Sequence, residues 1–222
     1  MCGRFTLTAS SYQQLALRFG VSDIPDIVYQ PRYNIAPSQQ VLSVITSNNL
    51  RRLGFMKWGL IPSWAKDASI GNKLINARSE TVHEKPSFRQ AFRARRCLII
   101  ADGFYEWNRN STPRQPYYIQ LASGEPFAFA GLWERWKPDP DGDTVFTCTV
   151  LTTDANPKIA EIHPRMPVIL EQHQEAPWLY GESTNEIRKL MKQFPAARMA
   201  MHPVSTMVNS PKNDSSDCII PV

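Results

Sequence analysis

The run Cys97-Leu98-Ile99-Ile100-Ala101, closed by Asp102-Gly103 and followed by Phe104-Tyr105-Glu106-Trp107, sets the character of this chain. Five apolar residues stopped by an Asp-Gly pair are too few for a helix and read as a strand. Runs of the same kind lie outward on both sides, at 41–46 and 53–58, then at 117–121, 127–136, 145–153 and 168–170. They are rich in β-branched and aromatic residues, and Gly, Pro, Asn and Asp separate them, as strands of a β-rich core require. Helical spacing occurs at three places. Tyr12, Leu15, Ala16 and Phe19 share one face ahead of Gly20, residues 86–92 make a short helix, and Ile187, Leu190, Met191 and Phe194 form a stripe. Ser183 and Glu186 stand at capping-box spacing before the last of these. The expectation is one α+β domain over residues 1–222, its sheet mostly antiparallel, with helices at its margins.

At 222 residues the chain can bury roughly 70% of its unfolded surface in one core. No stretch approaches the ~18 apolar residues of a membrane helix, and the N-terminus lacks a signal peptide's apolar region. A cytoplasmic protein with no membrane partner is expected. The net charge of +5 proves nothing about partners by itself. Arg89, Arg93, Arg95 and Arg96 cluster, as do Arg51 and Arg52, which suits a solvated face and would also suit phosphate. Four cysteines without CxxC spacing and four histidines without HExxH argue against zinc. Neither a metal nor a cofactor is expected. Cys97 and Cys148 lie in apolar runs and read as buried small hydrophobes.

Cys2 is different. An initiator Met before so small a residue is normally trimmed, which leaves a cysteine with a free α-amine at the usually frayed end of the chain. A 1,2-aminothiol condenses with an aldehyde to an imine, and its thiol then closes a thiazolidine. Ordinary values near 7.7–8.0 for the amine and 8.5 for the thiol leave a minority of each nucleophilic at neutral pH.

Several segments are richer in polar and aromatic residues than packing requires. They are Tyr33-Asn34-Ile35-Ala36-Pro37, Trp58-Gly59-Leu60-Ile61-Pro62-Ser63-Trp64, Asn76-Ala77-Arg78-Ser79-Glu80-Thr81, Asp102 to Trp107, His163-Pro164-Arg165-Met166-Pro167 and His202-Pro203-Val204-Ser205. In this order, after Met1-Cys2-Gly3-Arg4-Phe5, they resemble the SOS-response-associated peptidase (SRAP) family along essentially the whole chain. The resemblance implies a β-rich, barrel-like fold around a positively charged groove. It also implies a sensor and shield of abasic sites in single-stranded DNA, cross-linked through the N-terminal cysteine. Carried over position by position, Cys2 is the nucleophile and Asn76 holds the sugar or the Cys2 terminus. Glu106 is the carboxylate beside the amine, and His163 acts on the deoxyribose hydroxyl. Arg78 and Arg4 take phosphate, Asn34 and Pro37 belong to the DNA-binding surface, and Trp64, with Phe5 as a further candidate, offers an apolar face to bases or to a duplex junction. A monomer is expected.

The chemistry of these residue types agrees. A closed hemiacetal needs proton donation and acceptance before its aldehyde is exposed, which suits a histidine. Imine formation needs the amine neutral and water expelled, which suits a carboxylate of raised pKa. The imine would also permit weak lyase activity. Three other readings stay open on the residues alone: an N-terminal-nucleophile amide hydrolase, a thiol peptidase using Cys2, Glu106 and His163, and a non-catalytic single-strand binder.

Overall fold

The computed structural model describes residues 2–139 and 142–222. The first half runs β1 (Phe5–Leu7), α1 (Tyr12–Arg18), β2 (Arg32–Ile35), β3 (Gln40–Ser47), β4 (Leu50–Trp58), β5 (Asn76–Arg78) and α2 (Arg89–Ala94). The second continues β6 (Arg96–Ala101), β7 (Gly103–Trp107), β8 (Pro116–Leu121), β9 (Phe127–Trp136), β10 (Val145–Asp154) and α3 (Pro157–Ala160). It ends with β11 (Arg165–Pro167), β12 (Ile169–Leu170), α4 (Gln172–Tyr180), α5 (Thr184–Leu190) and β13 (Met199–Pro203). No helix among the described residues is long and apolar enough to cross a membrane.

Strands β4, β3, β6, β9 and β10 close into a ring, because β10 pairs with both β4 and β9. A ring with an odd number of strands cannot alternate direction throughout, so one neighbouring pair must run parallel. That pair is β4–β10, with Thr147 opposite Lys57, and the other four contacts are antiparallel. Further along, β10 also pairs in parallel with β5 and antiparallel with β11. The run at 97–101 is buried on both faces. One side fills the ring, and α4 covers the other, where Trp178 donates from Nε1 to the Cys97 carbonyl at 3.0 Å. Each fully buried Leu, Ile or Phe contributes about 1.5–3 kcal/mol, so this strand belongs to the centre of stability.

A second sheet, antiparallel throughout, has the order β13-β8-β7-β1-β2. It packs on the ring through Phe5, whose ring lies 5.1 Å from that of Trp58 and 5.6 Å from that of Phe129. The chain passes from ring to sheet at Asp102-Gly103, so the pair read as a strand stop is a corner joining two strands. Asp102 is held there by Thr6 Oγ1 at 2.6 Å, by Thr8 and by the Ala9 amide. Gly103 is required next, because a Cβ would lie 2.2 Å from the Tyr118 hydroxyl.

The N-terminus is tied down. Strand β1 lies between β7 and β2, an interior position that removes the usual fraying. The segment after β13 then locks it from outside. Asn34, fully buried, donates to the carbonyls of Val208, Ser210 and Asn213, while Asp214 accepts from the Tyr33 and Asn34 amides and pairs with Arg32.

Helix α1 ends before Gly20 at φ +67°, and Ser183 caps α5 by accepting from the Glu186 amide at 3.4 Å. Glu186 turns its own carboxylate to Lys189, so the box is half made. The other two helices are shorter than their stripes: α2 begins at Arg89, and Phe194 lies beyond α5. Both arginine clusters include residues that serve the fold. Arg96 donates to the carbonyls of Trp178, Phe92 and Arg93, Arg95 pairs with Glu134, and Arg51 with Glu175.

Candidate active site

The site forms where the interior end of β1 meets β5, β7 and the turn after α3. Cys2 is fully buried in the main core, its Sγ 3.8 Å from the Arg4 carbonyl. Strand β5 runs parallel to β10 with Asn76 opposite Val150, and this register aims the Asn76 side chain at the N-terminus. Asn76 Nδ2 donates to the Cys2 carbonyl at 2.7 Å. Its Oδ1 is buried without a hydrogen-bond partner, an arrangement that costs about 1–3 kcal/mol. Stability alone does not account for such a group.

Glu106 on β7 and His163 after α3 are both buried, with His163 Nδ1 3.9 Å from Glu106 Oε1. The imidazole is fixed by Arg165, whose amide and carbonyl both lie 3.0 Å from Nδ1. An ion pair would lower the carboxyl and raise the imidazole. The opposite occurs. Burial pushes Glu106 up to about 7 against the pull of Arg109. Burial likewise takes His163 down to about 4, against the Arg165 backbone hydrogen bond and helped by the charges of Arg109 and Arg165. Desolvation therefore outweighs mutual attraction, and near pH 6 both groups are mainly neutral and able to exchange protons.

The Cys2 thiol departs from expectation. Burial raises its pKa strongly, and the Glu106 charge raises it further. Burial, with the Glu106 charge second, thus favours the protonated thiol over the minority thiolate that its ordinary value implies.

The other singled-out residues fall into two groups. Arg78 is exposed at the end of β5, and Trp64 is 58% exposed on the loop after β4, beside Lys66 and Lys73. Pro37 is partly exposed in the turn after β2. The second group is bound into the fold. Arg4 donates from Nη1 to Asn34 Oδ1 at 2.7 Å and to the Val208 carbonyl at 2.6 Å, and its guanidinium lies over Trp107. Asn34 is its partner in that clamp. Phe5 is fully buried against Trp58 and Phe129, which overturns its candidacy for base stacking. Two neighbours of the Glu106–His163 pair carried no assigned role in the sequence. Arg165 stood in a quoted motif, and its ion pairs with Glu80 and Asp154 fix the backbone that orients His163. Arg109 stood in no motif at all.

The SOS response associated peptidase family model matches residues 1–211. The chain belongs to the SRAP family. It is 46% identical over 223 residues to abasic site processing protein YoqW of Bacillus subtilis (strain 168), covering 99% of each chain. It is 33% identical to abasic site processing protein HMCES of Gallus gallus, over 87% of this SRAP chain and 67% of that protein. A crystal structure of a protein from Bacteroides thetaiotaomicron superposes with a TM-score of 0.90 at 28% identity, covering both chains fully.

Proposed function

We propose that this SRAP protein binds single-stranded DNA and processes abasic sites by forming a covalent thiazolidine cross-link through Cys2, after removal of Met1. The adduct shields the lesion during the DNA damage response. The protein acts as a monomer in the cytoplasm, and one domain over residues 1–222 suffices. The observation that carries this reading is the meeting of Cys2, held by Asn76, with two buried proton carriers whose pKa values lie on either side of 5. The names of the relatives point the same way.

In this reading His163 moves a proton on the sugar hydroxyl as the hemiacetal opens to the aldehyde. The Cys2 amine adds to C1′, and Glu106 takes the amine proton and returns it to the departing hydroxyl, which leaves as water. The thiol then adds to the imine carbon. Its proton passes through Glu106 to the nitrogen, so a C–S bond closes as the C=N bond becomes single. The orphaned Asn76 Oδ1 is placed to accept from a sugar hydroxyl or from the Cys2 amine. Arg78 takes phosphate and Trp64 stacks on a base, with Pro37 at the edge of the same surface and Arg4 and Asn34 holding the terminus in place. Before the thiol closes, the imine permits a lyase side reaction. A thiol hydrolase needs a thiolate at the first step, and the burial that raises the Cys2 thiol works against one.

The test is incubation with a single-stranded oligonucleotide bearing an abasic site. A shifted band that survives heating is expected, and its absence with protein shown by mass to lack Met1 sinks the proposal.

The pH dependence follows from signs. Imine formation needs Glu106 as carboxylate, so the rate of adduct formation rises as pH passes through about 7. His163 adds no inflection between pH 5 and 8, since its value lies near 4. Glu106→Gln slows the reaction by ~10²-fold and removes the inflection. The same substitution stabilises the fold at pH 8. A carboxyl raised in the folded state costs stability that grows as pH climbs from 4.5 to 7, about 3 kcal/mol at most. Melting curves of both proteins at pH 5 and pH 8 read this directly: the gap should open only at the higher pH.

A further inference from the structure

Arg109 sits at the rim of the site from a direction that no motif marks. Its amide donates to the Ile162 carbonyl at 3.2 Å, and Asn110 Nδ2 reaches the Glu161 carbonyl at 3.3 Å. These two bonds stitch the loop after β7 to the turn that carries His163. Arg109 is thereby fixed three residues from Glu106 and beside His163, with its side chain exposed. Other arginines near the site are occupied. Arg165 is committed to Glu80, Asp154 and the Thr152 carbonyl, and Arg4 to Asn34 and the segment after β13. Among the described residues, the guanidiniums of Arg78 and Arg109 make no hydrogen bond or ion pair.

These two cations approach from different layers. Arg78 comes from β5, paired with β10 of the ring opposite Thr152, and Arg109 follows β7 of the second sheet, on the loop bonded to the turn that carries His163. We infer that Arg109 is a second phosphate-binding residue, holding the DNA phosphate next to the lesion on the side away from Arg78. The inference rests on the reading of Cys2 chemistry given above. Two cations from separate elements would draw the strand across the site and present the sugar to Cys2. The charged side chains facing Glu106 and His163 are Arg109 and Arg165, the latter paired with Glu80 and Asp154.

The test uses the whole protein and a single-stranded oligonucleotide carrying a tetrahydrofuran abasic analogue, which has no aldehyde and reports binding alone. In Arg109→Ala, the slope of log affinity against log salt should fall by roughly 0.7, one phosphate contact on a single strand. Arg114→Ala removes an equal charge from the same loop and should leave the slope unchanged, and Arg109→Lys should restore it. In Arg109→Gln, the inflection of adduct formation assigned to Glu106 should move to higher pH, because the lost cation favoured the carboxylate. An unchanged slope in Arg109→Ala, or an equal loss in Arg114→Ala, overturns the inference. So does a lost slope with an unmoved inflection, which would put the contact away from Glu106. Wild-type protein that binds the analogue but never cross-links a true abasic site strikes the cross-linking reading instead, and the slope still judges Arg109.

Discussion

Cys2→Ala should form no heat-stable adduct with abasic DNA while binding the tetrahydrofuran analogue with nearly wild-type affinity. Among the described residues only Cys2 offers an amine and a thiol on adjacent carbons once Met1 is gone, whereas in the proposed reading affinity rests on Arg78 and the other cations. The side chain is fully buried in the main core, so the substitution also costs stability, within the ~0.5–3 kcal/mol of ordinary core changes. Retained affinity for the analogue is therefore the control for folding. Cys2→Ser makes the prediction sharper. It keeps the amine, and its hydroxyl closes a ring less readily than a thiol. An imine should form that borohydride traps and heat destroys. Adduct at the wild-type level in Cys2→Ala would move the chemistry to another residue.

The strands of the ring were legible because each is long enough to show its pattern. The run at 127–136 coincides with β9, and those at 97–101 and 145–153 fall one residue short of β6 and β10. Missed strands are short ones, such as Phe5–Leu7, Asn76–Arg78 and Arg165–Pro167, of three residues each. Three residues carry no usable alternation, and these are the segments whose polar and aromatic side chains stood out as motifs. Helix α4 carries Pro177 and no clear apolar face, so nothing periodic announced it. Within the site, residue types were legible but burial was not. The free-peptide value for a thiol gave a partly ionised Cys2, and only the folded chain places it in the core beside Glu106. Asn34 was legible as an unusual polar residue. Its three carbonyl partners come from residues 208–213, far along the chain, and no local spacing encodes them. Arg109 is similar, since its nearness to His163 arises from a backbone bond across two loops.

An extension of one or more residues before Cys2 that escapes trimming should abolish the heat-stable adduct and leave DNA binding intact. Acylation turns the α-amine into an amide whose nitrogen has no basic lone pair, so the imine cannot form. The rest of the machinery is untouched. Asn76 grips the Cys2 carbonyl and not its nitrogen, β1 keeps both neighbouring strands, and Arg78 and Trp64 lie on other segments, at the end of β5 and on the loop after β4. A C-terminal tag should be harmless by contrast, because Val222 is 72% exposed at the end of its clamp. The pair of tagged proteins thus differs in one lone pair, and electrophoresis after heating reads the difference. Mass spectrometry of the active form should give a chain lacking Met1. Full cross-linking by the blocked protein would require the thiol to act first and alone. A thiol that burial, and secondarily the Glu106 charge, biases toward its protonated form is poorly made for that step, which is why this comparison bears most directly on the amine.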